Sequence, residues 1–336
     1  MSWPDARRLR YTPTTKVASD DGTGIAVEIL GDGHPGPTLV FVHGWTFSSR
    51  SYHYQRILAE RYRLVFMDHR GHGESDPGPR EHRSVDQIGR DLYAVINGVC
   101  ADRDVVLVGH SMGGMTIMSL AAQHPELFGS KVKGVALLNT SAGEVSDNTF
   151  GLPRRLAAAF TKQWEGAMAL MVSDPAAAEK KKRAGTKMSL LMSRWLNFGK
   201  KPDKRLVAFA EAMSAQTPAE VVGDFYISLK EHDKIAALAA LAQVPTLVVA
   251  GEKDRLLPPQ HSRRIAAEVP HARLLELRGA GHCPMLEQPE EVNAALYDLV
   301  AAALDGTNVP AKPQAEGAQP KRTTRRTSKA RETVAS

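Results

Sequence analysis

Val105-Val106-Leu107-Val108-Gly109-His110-Ser111-Met112-Gly113-Gly114 decides the reading of this chain. Four apolar residues are too few for a helix and suit a strand buried on both faces. A G-x-S-x-G turn follows directly, and from Met112 the spacing of apolar residues predicts a helix to Gln123. A turn that sharp between strand and helix puts the serine at its tip and leaves room for small residues only, two positions either side. Gly109 and Gly113 meet that demand. The positive end of the following helix would lie beside the hydroxyl. Ser111 is therefore the candidate nucleophile.

Outward from this turn, short runs rich in Val and Leu alternate with helical patterns. Strands are expected at 24–30, 38–42, 64–67, 105–108, 132–138, 246–250 and 273–277, and helices at 52–60, 84–99, 112–123, 260–268 and 290–304. Such alternation predicts an α/β fold: a doubly wound, mostly parallel sheet covered by helices on both sides. Residues 144–235 break the rhythm. They read as helices only, interrupted at Pro153, Pro175, Pro202 and Pro218, and hold five of the eleven methionines. The division expected is a core in two parts, 1–143 and 236–305, a helical cap inserted at 144–235, and a tail at 306–336. Met and Trp at helical spacing are ordinary core material, but a flexible thioether surface can also face a pocket. On that second reading Met168, Met192 and Trp195 would line a substrate site, with His43 and His110 from the core.

Serine is a weak nucleophile without a general base. His282, in Arg278-Gly279-Ala280-Gly281-His282-Cys283-Pro284, follows the last expected strand in a glycine-rich loop and is the best candidate. The base needs an acid to fix its tautomer. Asp254, in Gly251-Glu252-Lys253-Asp254, follows the strand at 246–250, and Glu252 is its close competitor. The order Ser111, Asp254, His282 is that of a nucleophile-elbow hydrolase. Backbone N–H groups of Met112 and of Trp45, in the loop His43-Gly44-Trp45, would hold a developing oxyanion.

Together with Asp68-His69-Arg70-Gly71-His72-Gly73-Glu74-Ser75, these motifs resemble the α/β-hydrolase superfamily over residues 14–304. The resemblance implies a serine hydrolase acting on a carboxylic ester through an acyl-enzyme, carboxylesterase- or lipase-like, with no cofactor. It makes the Asp68–Asp76 stretch a mainly structural turn. Thioester hydrolysis, C–C hydrolysis and cofactor-free perhydrolysis run on similar triads, and a hydrolase-like binding protein is the non-enzymatic alternative. Relatives with an Asp nucleophile, the epoxide hydrolases and haloalkane dehalogenases, fit poorly because position 111 is Ser.

Two other patterns lose their force in context. Gly31-Asp32-Gly33-His34-Pro35-Gly36 matches G-x-G-x-x-G, but Pro37 and a strand follow where a dinucleotide site needs a helix. A hairpin loop is the better reading. With no H-E-x-x-H, and with Cys100 and Cys283 far apart, no metal site is expected.

The 336 residues are 43% hydrophobic and 24% charged, ordinary for a soluble globular protein. Two cysteines exclude a disulfide framework and suit a reducing compartment. No signal peptide or membrane-spanning run is evident, so a cytoplasmic protein is expected. The net charge of +6 points at first to anionic partners. From Gly306 onward, however, seven basic residues face only Glu316 and Glu332, a net +5 that leaves the body nearly neutral. That tail lacks aromatic residues and reads as disordered. Lys321, Arg322, Arg325 and Arg326 offer a weak anionic contact at most, and no nucleic acid or membrane partner is required.

Overall fold

The computed structural model describes residues 3–5, 11–145, 149–184 and 186–307. The expected basic tail, from residue 308 onward, lies outside them. Eight strands form one sheet: β1 (Thr15–Ala18), β2 (Gly24–Leu30), β3 (Thr38–Val42), β4 (Arg63–Met67), β5 (Val105–His110), β6 (Val132–Leu138), β7 (Thr246–Gly251) and β8 (Arg273–Leu277). Their order is β1-β2-β4-β3-β5-β6-β7-β8. From β4 to β8 every pairing is parallel, and β1 and β2 add antiparallel strands at one edge. The fold class is the expected one. β3, β4 and β5 are buried throughout, which is why they read as continuous Val and Leu runs.

Two expectations need correction. The segment after β2 is not a hairpin loop, because β4 lies between β2 and β3 and pairs with both. Gly31, at φ +63°, turns the chain where a Cβ would meet the carbonyl of Tyr62 at 2.5 Å. The helix expected at 52–60 is a 3₁₀ helix over Ser49–Glu60, broken at Tyr52, whose hydroxyl donates to the Val42 carbonyl.

On the core's faces lie α1 (Val85–Val99), capped by Ser84, and α2 (Met112–Gln123). Between β6 and β7 come α3 (Arg154–Ser173), α4 (Pro175–Ala184), α5 (Thr186–Asn197), α6 (Lys204–Gln216), α7 (Ala219–Lys230) and the short α8 (Leu238–Leu241). The chain closes with α9 (Pro259–Glu268), α10 (Pro284–Glu287) and α11 (Pro289–Asp305). Large apolar clusters fill both sides of the sheet. The five helices α3–α7 pack over its C-terminal edge, and there the cavity described below is found. Among the described residues no helix is long and apolar enough to cross a membrane.

Candidate active site

Ser111 sits between the last residue of β5 and the first of α2, at φ 52°, ψ −118°. A side chain adopts that backbone only where its surroundings over-determine it. Here they do. The Ser111 N–H donates to the Leu138 carbonyl at 3.0 Å, and its own carbonyl accepts from Gly114 N, Met115 N and Thr140 Oγ1. A Cβ on Gly109 would lie 2.5 Å from the Gly113 carbonyl oxygen, and one on Gly113 would lie 1.9 Å from that of Val42. The glycines are therefore steric necessities of the elbow.

Asp254 and His282 come together in the segments that follow β7 and β8. His282 Nδ1 is 2.8 Å from Asp254 Oδ2, and both residues are buried. The same oxygen accepts from Asn139 Nδ2 at 2.6 Å, while Oδ1 accepts from the N–H groups of Leu256 and Leu257. A carboxylate so fully engaged has one orientation, and the imidazole it holds is left with Nε2 free for other work. Ser111 and His282 line the same cavity, of about 480 Å³. Glu252 lies outside: its carboxylate takes the Gly279 N–H and the Lys253 ammonium at the surface.

Beside the serine runs the loop after β3. A Cβ on Gly44 would stand 3.2 Å from Ser111 Cβ, so the two turns touch. The Gly44 carbonyl accepts from Phe47 N, with Thr46 at φ 64° closing the turn. Among the described residues, neither the Trp45 N–H nor the Met112 N–H has a protein acceptor.

The five pocket candidates divide. His110, Met168 and Met192 line the cavity; His43 and Trp195 do not. His43 is fully buried behind it, bonded through its ring to the Gly44 carbonyl and the His69 N–H, and burial holds its pKa well below the usual range. Trp195 packs edge-on to Phe160 and under the Arg255 guanidinium and does not line the cavity, whereas its helical neighbours Met192 and Leu196 do. His110 has a closer part than expected. Its Nε2 donates to the His282 carbonyl at 2.7 Å and its ring lies 4.8 Å from that of His282. Burial, then the neighbouring imidazole, lowers its pKa well below 6.5, so it stays neutral beside the candidate base. Asp68 is structural: buried, it accepts from Ser49 N, Glu74 N and the Tyr11 hydroxyl.

Two residues escaped the sequence reading. Asn139, at φ 44° just past β6, ties three elements together: Nδ2 reaches Asp254 and the Gly281 carbonyl, and Oδ1 accepts from Gly251 N. A polar residue immediately after an apolar strand was its only signal, shared with Thr140 and Ser141. Glu287, at the end of α10, accepts from Gly281 N at 2.7 Å and from Gly199 N at 2.8 Å, bridging the histidine loop to the chain leaving α5. Burial pushes its pKa up to about 7. Nothing in its surroundings in the sequence distinguishes it from a surface carboxylate.

A family model described as "Alpha/beta hydrolase family" matches residues 39–295, an interval that contains the elbow, the acid strand and the histidine loop. The chain belongs to the alpha/beta hydrolase family. Among curated relatives, a pimeloyl-[acyl-carrier protein] methyl ester esterase of Xanthomonas campestris pv. campestris is 28% identical over 82% of this chain and 98% of its own length. A non-heme haloperoxidase of Rhodococcus erythropolis is 27% identical over 84% and 98% respectively. Among solved structures, a putative aryl esterase from Burkholderia cenocepacia superposes with a TM-score of 0.67 at 25% identity, covering 86% of this chain and 98% of its own. This alpha/beta hydrolase therefore matches these three proteins over nearly their whole length.

Proposed function

We propose that this alpha/beta hydrolase is a serine esterase that cleaves carboxylic esters with an apolar arm by way of an acyl-enzyme. The observation that carries the reading is the convergence of Ser111 and His282 on one cavity, with Asp254 holding Nδ1 of that histidine. Nε2 of His282 takes the Ser111 proton as Oγ attacks the ester carbonyl. The carbonyl π pair becomes an oxyanion, and the free N–H groups of Met112 and Trp45 receive it. Collapse expels the alcohol, which leaves with the proton from Nε2. Water then gives a proton to Nε2 and attacks the acyl carbonyl, and Ser111 departs as the alcohol did, freeing the acid. Neutral His110 cannot compete with His282 for the proton.

The cavity lining favours an apolar arm. Met115, Met168, Met171 and Met192 surround it with Trp164 and Phe150, side chains that adapt to varied apolar shapes. Two relatives named as esterases agree with this reading. The haloperoxidase-like relative makes perhydrolysis a second reading, in which hydrogen peroxide takes the place of water in the second step. Fluorophosphonate labelling tests the first: wild type is labelled and Ser111→Ala is not, and equal labelling of both ends the assignment. Peracid formation from acetate and peroxide, measured beside ester hydrolysis, separates the two readings.

A further inference from the structure

Most of the wall of the cavity beside Ser111 is apolar, but four charged side chains line it: Glu165 and Lys230, which pair with each other, and Lys182 and Glu211. Lys182 of α4 and Glu211 of α6 also line a separate groove of about 680 Å³ on the outside of the cap, between α4 and the α6–α7 turn. Among the described residues they are the two shared by both spaces. Each is pinned from one side. The Lys182 ammonium donates to the Thr217 carbonyl, and the Ser189 hydroxyl of α5 donates to Glu211. Burial lowers the pKa of Lys182 and raises that of Glu211, as expected of charges that face an apolar space on one side.

We propose that Lys182 and Glu211 form the end wall of the cavity and set the greatest length of apolar arm it accepts. The proposal rests on the esterase reading for the chemistry, but the wall itself is a statement about space. A chain end that reaches these side chains meets filled volume, and it cannot push them aside without breaking the hydrogen bonds to Thr217 and Ser189 that hold them. A chain that stops short of them loses nothing. Cutting either side chain back joins the inner cavity to the outer groove, and a longer arm then gains contact where it formerly met the side chain.

p-Nitrophenyl esters from acetate to palmitate, hydrolysed by wild type, Lys182→Ala, Glu211→Ala and Glu211→Gln, read the wall directly. Arg194→Ala, an exposed position on α5, serves as control. We expect the ratio of kcat/KM for the laurate ester to that for the butyrate ester to rise about tenfold in each alanine variant, through a lower KM for the long ester. Glu211→Gln keeps the volume and the acceptor for Ser189 and retains the wild-type ratio, as does Arg194→Ala. An unchanged ratio in both alanine variants, at wild-type Tm, overturns the proposal. So does a ratio in Glu211→Gln equal to that in Glu211→Ala, since charge and not space would then govern.

Binding of 1-alkanols, followed by the fluorescence of Trp45 and Trp164 in the cavity wall, keeps the wall testable if no ester is cleaved. Affinity should climb about fourfold per methylene and level off at one length in wild type. In the alanine variants it should continue to climb past that length. A common plateau in all variants removes the wall, whatever becomes of the esterase reading.

Discussion

The two sides of the cavity are held in different ways. On the sheet side, Ser111, Asp254 and His282 stand in the turns and loops after β5, β7 and β8, and most of their hydrogen-bond partners are themselves buried, among them Leu138, Thr140, Asn139, Leu257 and His110. On the cap side, α3 buries only Ala157 and Met168 of its 20 residues, and Leu156, Met188 and Leu191 are more than half exposed. Groups that must hold geometry to fractions of an ångström sit where every orientation is fixed more than once. Many of the groups that need only supply apolar surface sit on α3 and α5, helices with few buried residues that can shift at little cost, whereas α6 and α7 are packed more deeply. Substitutions should therefore act on rate at the sheet side and on substrate affinity at the cap side.

The largest effect belongs to Ser111→Ala, expected to lower kcat for any cleaved ester by at least about 10⁴-fold. Removing one hydroxyl leaves the elbow's backbone hydrogen bonds in place, so Tm should stay within a few degrees of wild type. Loss of activity accompanied by collapse of the fold would mean that the serine is a structural member of the turn.

That the sheet side could be read from sequence follows from the same rigidity. A parallel strand buried on both faces is a short apolar run, and the residue after it lies at the sheet edge, so Ser111 and Asp254 were each marked by their neighbours and His282 by its glycine loop. Asn139 occupies an equivalent place after β6, but Thr140 and Ser141 follow it, and choosing among three polar residues required the fold. β1 was missed because Thr15-Lys16-Val17-Ala18 forms an exposed edge with little apolar signal. In the cap, helical periodicity gave the helices and not their rotation about their axes. Met192 and Trp195 looked alike in sequence, and only packing placed the first in the cavity and left the second out of it. Lys182 sat in a basic run that reads as a solvated helix face, and no local pattern reveals that one of its members closes a cavity.

Asn139→Ala tests whether the hydrogen bonds on the sheet side act on rate. It removes a donor to Asp254 and leaves the buried Gly251 N–H without its acceptor, each worth about 1–3 kcal/mol. We expect kcat to fall between about tenfold and a hundredfold with KM nearly constant, and Tm to drop by several degrees. Asn139→Asp should do worse in activity, since a second carboxylate facing Asp254 would draw a proton into the pair and weaken the acid's hold on His282. A change confined to KM would show that the acid does not depend on this neighbour.

Met192→Ala is the matching test on the cap side. It takes away thioether surface from the cavity and touches nothing that holds Ser111, Asp254 or His282. KM for a medium-chain ester should rise by up to about tenfold, with kcat within a factor of two or three. A fall in kcat instead would mean that the cap positions the reacting carbonyl as well as the arm, and the division between the two sides would lose its meaning.

Glu287 is where the two sides are tied, and it gives the smallest and most specific effect. Its carboxylate is half-buried, and its pKa is raised from 4.5 to about 7, with loss of hydration as the first cause and Asp254 as a contributing charge. Between those two values the native state holds a proton that the unfolded state has released. Stability from this group is thus fully present below about 4.5 and is lost as pH rises through about 7. Glu287→Gln cannot titrate. The stability of wild type relative to the variant should therefore increase by about 1 kcal/mol when pH is lowered from 8 to 6, as read from urea midpoints at constant m-value. The opposite sign would show that the two backbone N–H groups outweigh burial and keep the carboxylate ionised. In that case the bridge from Gly281 to Gly199 would strengthen, not weaken, as the solution becomes alkaline.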